Sequence, residues 1–210
     1  FLIESEDTGR LKKIFARYEL FKKTISVPGD IIECGVFKGT GHIYWLKLLK
    51  IFDEHSIKKV VGFDTFQNFS NSILEYEKKS ARKFTKEANY KNNVSVKDIN
   101  KKISKLGLIK RSELIKGDII KTAKKYVNDN KGFKISLLNL DLDTYEGTKS
   151  SLDAFYSKIS RGGIIVLDEY GKRGWGETDA VDEFLDKHKN LEINTIEYSN
   201  QPTAYIVKKF

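Results

Sequence analysis

The stretch Ile135-Ser136-Leu137-Leu138-Asn139-Leu140-Asp141-Leu142-Asp143, read with its echo Gly162-Gly163-Ile164-Ile165-Val166-Leu167-Asp168-Glu169, decides the fold. Each is a nearly continuous apolar run closed by acids. A strand buried on both faces of a parallel sheet reads this way, and the carboxyl ends of such strands are where an open α/β sheet places its site. The interval between the runs holds one helix, predicted from about Tyr145 to Ile159, and its loops, so the runs should be neighbouring parallel strands. Their tips would then set Asp141, Asp168 and Glu169 around one point. Carboxylates crowd together only around positive charge, and a divalent cation held by oxygen ligands is the expected partner.

Working outward, strand and helix signals alternate along the chain. Residues 5–27 read as a helix, with Leu11, Ile14, Phe15, Tyr18 and Phe21 at helical spacing, ended by Pro28-Gly29-Asp30. Strands are predicted over Asp30–Val36, Lys59–Asp64, Ser112–Lys116, Lys134–Asp141 and Gly163–Asp168. Helices are predicted over His42–Phe52, Val94–Leu106, Ile119–Asn130 and Glu177–His188. Thr65–Asn93 is irregular, polar and Lys-rich, and is expected to be an insertion or a lid. The last two strand-like runs, Leu191–Tyr198 and Ala204–Lys209, are too close for a parallel crossover and should pair antiparallel. The prediction is an α/β fold: a doubly wound, mostly parallel sheet closed by an antiparallel strand and preceded by an N-terminal helix. At 210 residues a single domain is expected, with 1–27 as a helical extension and 28–210 as the core.

Composition narrows the function. A hydrophobic share of 40% with 32% charged residues fits a water-soluble chain, and no apolar stretch approaches membrane-span length. No basic-then-apolar leader opens the sequence, and with no Met at all the chain is expected to be a processed piece. The single Cys34 excludes a disulfide framework and a Cys-rich zinc site. It reads as a small core residue, compatible with a cytoplasmic location. The net charge of +9 raises nucleic-acid binding, but the lysines fall in dispersed pairs such as Lys12-Lys13 and Lys22-Lys23, which read as solvated helix faces. We expect no nucleic-acid partner and a milder use of the charge, attraction of a nucleotide-linked or phosphorylated sugar.

Glu33-Cys34-Gly35-Val36-Phe37-Lys38-Gly39-Thr40-Gly41 turns from the first strand into a helix. Its glycines permit a tight turn and close approach of a ligand, at a spacing wider than the dinucleotide fingerprint. Asp64 ends the second strand, where an acid can accept from two ribose hydroxyls. Asp118 follows the third, where it suits an adenine amino group or the N-cap of the next helix. His42 is chemically able to act as a base but reads as structural, and His55 and His188 as surface residues. Trp175 suits stacking on a sugar face or packing on the lid. The N-terminal helix is expected to cover the site or to form a homo-oligomer contact.

From Pro28 to Phe184 the chain resembles the S-adenosylmethionine-dependent sugar O-methyltransferases of the macrocin O-methyltransferase type. The resemblance rests on the glycine turn, Gly62-Phe63-Asp64-Thr65-Phe66, Lys116-Gly117-Asp118, Leu140–Glu146, Gly162–Gly171 and Ala180–Phe184, in that order. It implies a Rossmann-like class I methyltransferase sheet of seven strands with the last antiparallel. It implies that Glu33, Gly35, Phe37, Gly39, Asp64, Thr65 and Asp118 bind S-adenosylmethionine, and that Asp141, Asp168 and Glu169 bind Mg²⁺. Asp141 would serve as base as well as ligand, with Asp143 next in line. The family carries Asp-Asp where this chain has Asp168-Glu169, one methylene longer. The catechol-type relatives carry Lys where this chain has Thr144. The readings set aside are an NAD-dependent oxidoreductase on a similar sheet and a non-catalytic basic binding module.

Overall fold

The structure is a computed structural model that describes residues 4, 6–67, 69, 72–87 and 94–209. Seven strands form one sheet: β1 (Asp30–Cys34), β2 (Val60–Asp64), β3 (Ser112–Lys116), β4 (Ile135–Leu140), β5 (Ile159–Leu167), β6 (Ile193–Asn194) and β7 (Ala204–Val207), in the order β3-β2-β1-β4-β5-β7-β6. The first five run parallel, and β7 lies antiparallel between β5 and β6. This is the expected sheet, with its reversed strand in the predicted hairpin.

Among the described residues seven α-helices carry the chain between strands or ahead of them: α1 (Gly9–Thr24), α2 (Thr40–Phe52), α3 (Lys78–Glu87), α4 (Val96–Lys105), α5 (Ile119–Asp129), α6 (Tyr145–Phe155) and α7 (Glu177–Lys187). The strands' period of two sorts the core into two layers. Ile32, Cys34, Val61, Phe63, Leu138, Leu140, Ile165 and Leu167 face α5, α6 and α7, packing on Ala123, Tyr126, Leu152, Phe155, Val181 and Phe184. Ile31, Val60, Leu137, Ile164 and Val166 face the other way, onto Leu20 and Phe21 of α1, Trp45 and Leu49 of α2, and Ile99 and Ile103 of α4. Full burial of each large aliphatic or aromatic side chain stabilises the sheet by about 1.5–3 kcal/mol. Cys34 is one of these core residues, and burial pushes its thiol up to about 12, so it is inert.

Several expected boundaries shift. The helix expected to reach Ile159 stops at Phe155, and β5 begins at Ile159, four residues before the predicted start. Pairing of Ile135 with Ile159 extends β5 backward, with a register shift before Leu137 accommodating Gly162 at φ +82°. The run Leu191–Tyr198 holds a strand only over Ile193–Asn194. The stretch 65–93 is more ordered than its composition suggests: its described part includes α3, and 68, 70–71 and 88–93 fall outside the described residues.

Register also places the site. Leu140 pairs with Leu167, and Asp168 donates its backbone N–H to the Leu140 carbonyl at 3.1 Å, so Asp141 and Asp168 leave adjacent strand tips side by side. Asp141 in turn donates to the Cys34 carbonyl at 2.9 Å, aligning the acidic tips with the glycine turn. A side chain at Gly35 would put its Cβ 1.9 Å from the Asp141 carbonyl oxygen, on a residue whose φ is +96°. Only glycine lets β1 and β4 approach this closely.

Candidate active site

A cavity of about 810 Å³ opens along the carboxyl edge of the sheet. That volume is in the usual range for a small-molecule site. One end is lined by Glu33, Gly35, Val36, Phe37, Asp64, Thr65, Gly117 and Asp118, the other by Lys13, Arg17, Asp141, Asp143, Glu169 and Gln201. Of the residues expected to bind the cofactor, all but Gly39 line it. Gly39 sits one step away, at φ +84°, as the residue that precedes α2, and a Cβ there would meet Ile99 Cγ2 at 2.9 Å.

Asp64 is held by the turn that faces it. Its Oδ2 accepts from the backbone N–H of Val36 at 2.9 Å and of Phe37 at 2.7 Å, and its Oδ1 from that of Phe66 at 2.6 Å. Burial pushes its carboxyl above the ordinary range, against these three donors. The donors fix the carboxylate beside the glycine turn. Phe37 itself has φ +51° and packs its ring 5.8 Å from Phe84 of α3. Asp118 caps α5, accepting from Ile120 N–H at 3.0 Å, so the capping role is real, and the residue still lines the cavity. Glu33 is buried and contacts His42, whose Nδ1 lies 3.2 Å from Glu33 Oε2 and whose Nε2 lies 2.9 Å from Ser112 Oγ. His42 is therefore a fully buried structural link and is not among the residues lining the cavity.

The acidic end departs from expectation. Positive charge does sit among the carboxylates, and it comes from α1. Lys13 Nζ lies 3.2 Å from Asp141 Oδ2 and 2.8 Å from Asp168 Oδ2. Arg17 Nη2 lies 2.9 Å from Asp141 Oδ2 and 3.6 Å from Asp168 Oδ1. Burial opposes ionisation of Asp141, but Lys13 and Arg17 outweigh it and hold its carboxyl below the usual range. Asp168 shares less of that charge. Burial and the neighbouring Asp141 push it up to about 7. Lys13 and Arg17 are correspondingly held in their charged forms by the two acids, despite burial.

The third expected ligand, Glu169, is committed elsewhere: its Oε2 pairs with Lys172 Nζ at 2.5 Å and its Oε1 accepts from the Gln201 side chain. Among the described residues no group of three or more His, Cys, Asp or Glu side chains is arranged to hold a metal ion. Ammonium and guanidinium groups engage Asp141 Oδ2 and Asp168 Oδ2, and an ammonium and an amide engage the two oxygens of Glu169, where the expected Mg²⁺ ligands would coordinate.

Asp143 turns inward. β4 ends at Leu140, the chain bends, and Asp143 adopts φ +64° while its carbonyl accepts from Gly176 and Glu177 N–H. Thr144, not Asp143, is the residue that precedes α6. Burial and the charges of Asp141, Glu169 and Asp168 push the Asp143 carboxyl well above its ordinary value. Beside it Glu177, fully buried, accepts from the Glu169 N–H at 2.9 Å and is raised in the same way.

Sequence reading missed Lys13, Arg17 and Glu177. Lys13 was assigned to a solvated face, yet α1 buries Ala16, Arg17, Leu20, Phe21 and Thr24, while Phe15, expected to pack, is 49% exposed. The signal was the spacing 13, 17, 20, 21, 24, which is one helix face with a cationic end. Trp175 packs on two rings of the 65–93 stretch, 5.7 Å from Phe69 and 6.5 Å from Phe84. His188 stacks half-buried between Tyr156 and Phe184.

Residues 9–201 match the family model described as Macrocin-O-methyltransferase (TylF). The match begins in α1, ahead of the stretch whose motifs carried the resemblance. The mycinamicin III 3''-O-methyltransferase of Micromonospora griseorubida is 26% identical over 168 residues, 77% of this chain and 62% of that protein. The demethyldecarbamoylnovobiocin O-methyltransferase of Streptomyces niveus is 26% identical over 163 residues, 77% of this chain and 60% of that one. The chain thus spans about three-fifths of the length of these relatives. Among solved structures, the O-methyltransferase NovP superposes with a TM-score of 0.79 at 22% identity, covering 95% of this chain and 81% of that one. The calicheamicin methyltransferase CalS11 superposes at 0.76 and 22% identity, covering 95% and 79%. At these identities the superpositions establish the fold.

Proposed function

Because the chain belongs to the macrocin-O-methyltransferase family, we propose that it transfers a methyl group from S-adenosylmethionine to a hydroxyl of a sugar or glycoside. The observation that supports this most is one continuous cavity running from Asp64 and Asp118 to Asp141 and Asp143. The whole chain is read as one catalytic unit, with 28–210 as the core and α1 as a wall of its site.

The cofactor supplies, when bound, an electrophilic methyl carbon on a sulfonium. In this reading Asp64 accepts from the ribose hydroxyls, and the turn of Glu33, Gly35, Phe37 and Gly39 holds the amino-acid end. Thr65 supports Asp64, and Asp118 turns toward the adenine. A wall of placed acceptors of this kind contributes mainly by orientation.

A sugar hydroxyl is a poor nucleophile until its proton has somewhere to go. Asp141, tied to two cations, is a weak base. Asp143 lines the cavity, and burial among Asp141, Glu169 and Asp168 raises its carboxyl well above the ordinary value, which makes it the stronger base once ionised. It loses its proton more readily once a cation shares the cavity. We therefore assign the proton to Asp143 and to Asp141 the fixed negative field beside it. Arg10, Lys13 and Lys38 line the same cavity, which favours an acceptor carrying phosphate, such as a nucleotide-linked sugar. Magnesium, implied by the resemblance, is left out of the reading because Lys13 and Arg17 already place two positive charges against Asp141 and Asp168, and Lys172 and Gln201 engage Glu169.

Calorimetry with S-adenosylhomocysteine and with NAD tests the cofactor, and mass spectrometry of a sugar and nucleotide-sugar panel incubated with S-adenosylmethionine tests the reaction. Binding of S-adenosylhomocysteine and gain of one methyl group on a sugar are expected. Binding of NAD alone would overturn the reading in favour of an oxidoreductase.

A further inference from the structure

We propose that Lys13 and Arg17 are the resident cation of the Asp141–Asp168 pair, occupying the place of a divalent ion and keeping such an ion out. The inference rests on the methyl-transfer reading for its chemistry but not for its geometry. Two positive side chains four residues apart on α1 reach the same two carboxylates, with contacts from 2.8 to 3.6 Å. Two positive charges already face the two acids, one of which, Asp168, is itself pushed toward its protonated form, so no negative charge is left uncompensated. A dication added to the group would leave an excess of at least two charges in a partly buried place, which is costly.

The two cations differ in how firmly they are placed. Arg17 is 5% exposed, lies 5.5 Å over the Trp45 ring, and packs so close to Gly41 that a Cβ there would meet Arg17 Nη1 at 2.6 Å. Gly41 thus makes room for the Arg17 guanidinium and the Glu33 carboxylate beside it. Arg17 cannot leave without abandoning the fully buried Asp168 and the partly exposed Asp141 beside it. The Lys13 side chain is 27% exposed, lines the cavity and is the member able to swing aside. Arg17 is therefore a positioning residue that fixes Asp141, and Lys13 guards the coordination space in front of it.

The methyl-transfer step balances without a metal. The acceptor O–H proton passes to Asp143 and an O–C bond forms. The methyl C–S bond breaks with its electron pair left on sulfur, giving the neutral thioether. Lys13 places a positive charge in the cavity where the oxygen gains negative charge.

Mn²⁺ is the probe, titrated into full-length protein saturated with S-adenosylhomocysteine and followed by electron paramagnetic resonance. Wild-type protein should take up no stoichiometric Mn²⁺. Lys13→Met, which keeps the volume and removes the charge, should gain one site at least about tenfold tighter, the effect of a single close charge. Lys13→Arg should stay like wild type. Mg²⁺ should raise the melting temperature of Lys13→Met and leave wild type unchanged, a gain that loss of a merely structural contact would not produce. Stoichiometric Mn²⁺ uptake by wild type as tight as by Lys13→Met, or no gain in Lys13→Met, would overturn the proposal. The S-adenosylhomocysteine titration that precedes the Mn²⁺ steps is read separately: if it fails, the methyl-transfer reading falls, while the cation claim is still decided by Mn²⁺ uptake in the unliganded protein.

Discussion

The two ends of the cavity hold their carboxylates in opposite ways. At the β2 tip Asp64 is held by three backbone N–H groups, two from the turn after β1 and one from its own loop. At the β4 and β5 tips Asp141 and Asp168 are held by two long side chains, 124 to 155 residues distant in sequence. Backbone donors are supplied by the fold whatever the side chains around them. Side-chain cations are supplied only if one helix docks in one register. The first end is thus a property of the sheet, and the second a property of how α1 packs on it.

The sharpest way to break the comparison is to remove the docked charge. Arg17→Met should destabilise the protein by about 3 kcal/mol, because it removes a buried guanidinium and leaves Lys13 alone to face the buried Asp168 and its neighbour Asp141. Denaturant unfolding with an unchanged m-value would measure it. A loss below about 1 kcal/mol would mean α1 is not the cation source. A smaller effect is expected at the other end. Asp64→Asn should retain the fold and weaken S-adenosylhomocysteine by about 1.5–3 kcal/mol, roughly ten- to hundredfold, the cost of losing hydrogen bonds to a charged acceptor. Calorimetry reads it, and unchanged affinity would remove Asp64 from the ribose role.

The smallest effect concerns pH. Asp168, raised to about 7, and Asp143 and Glu177, also raised, keep protons in the folded protein that the unfolded chain gives up near pH 4. The folded state binds more protons across that window, so stability falls as pH rises from about 4 to 7. Asp141 is lowered and acts with the opposite sign, its contribution vanishing only as pH drops below about 4. Asp143→Asn removes one such group. Its melting temperature should therefore fall less than that of wild type as the pH rises from about 4 to 7. Parallel curves would show that Asp143 does not sit among the other acids.

Much of this was legible beforehand. The runs ending in Asp64, Asp141 and Asp168 are apolar because each strand is covered on both faces, so hydropathy alone located β1, β2, β4 and β5 and their tips. Spacing made β4 and β5 neighbours. The short interval before Ala204 required an antiparallel strand. Each of these is a local pattern, set by a period of two or by loop length. Lys13 and Arg17 were not legible in the same way. A lysine on an amphipathic helix is solvated unless a buried acid waits opposite it, and nothing near residue 13 reveals that acid. Glu177 was hidden for the same reason, since the Glu169 N–H that it accepts from is exposed to it only by the turn after β5.

The sequence by itself determined the sheet, its reversed strand and the acids at its edge, because apolar periodicity and chain connectivity are written residue by residue. Only the tertiary structure decided what neutralises those acids. Charge pairing depends on distance in space, and the helix that provides the positive charge lies more than a hundred residues away along the chain.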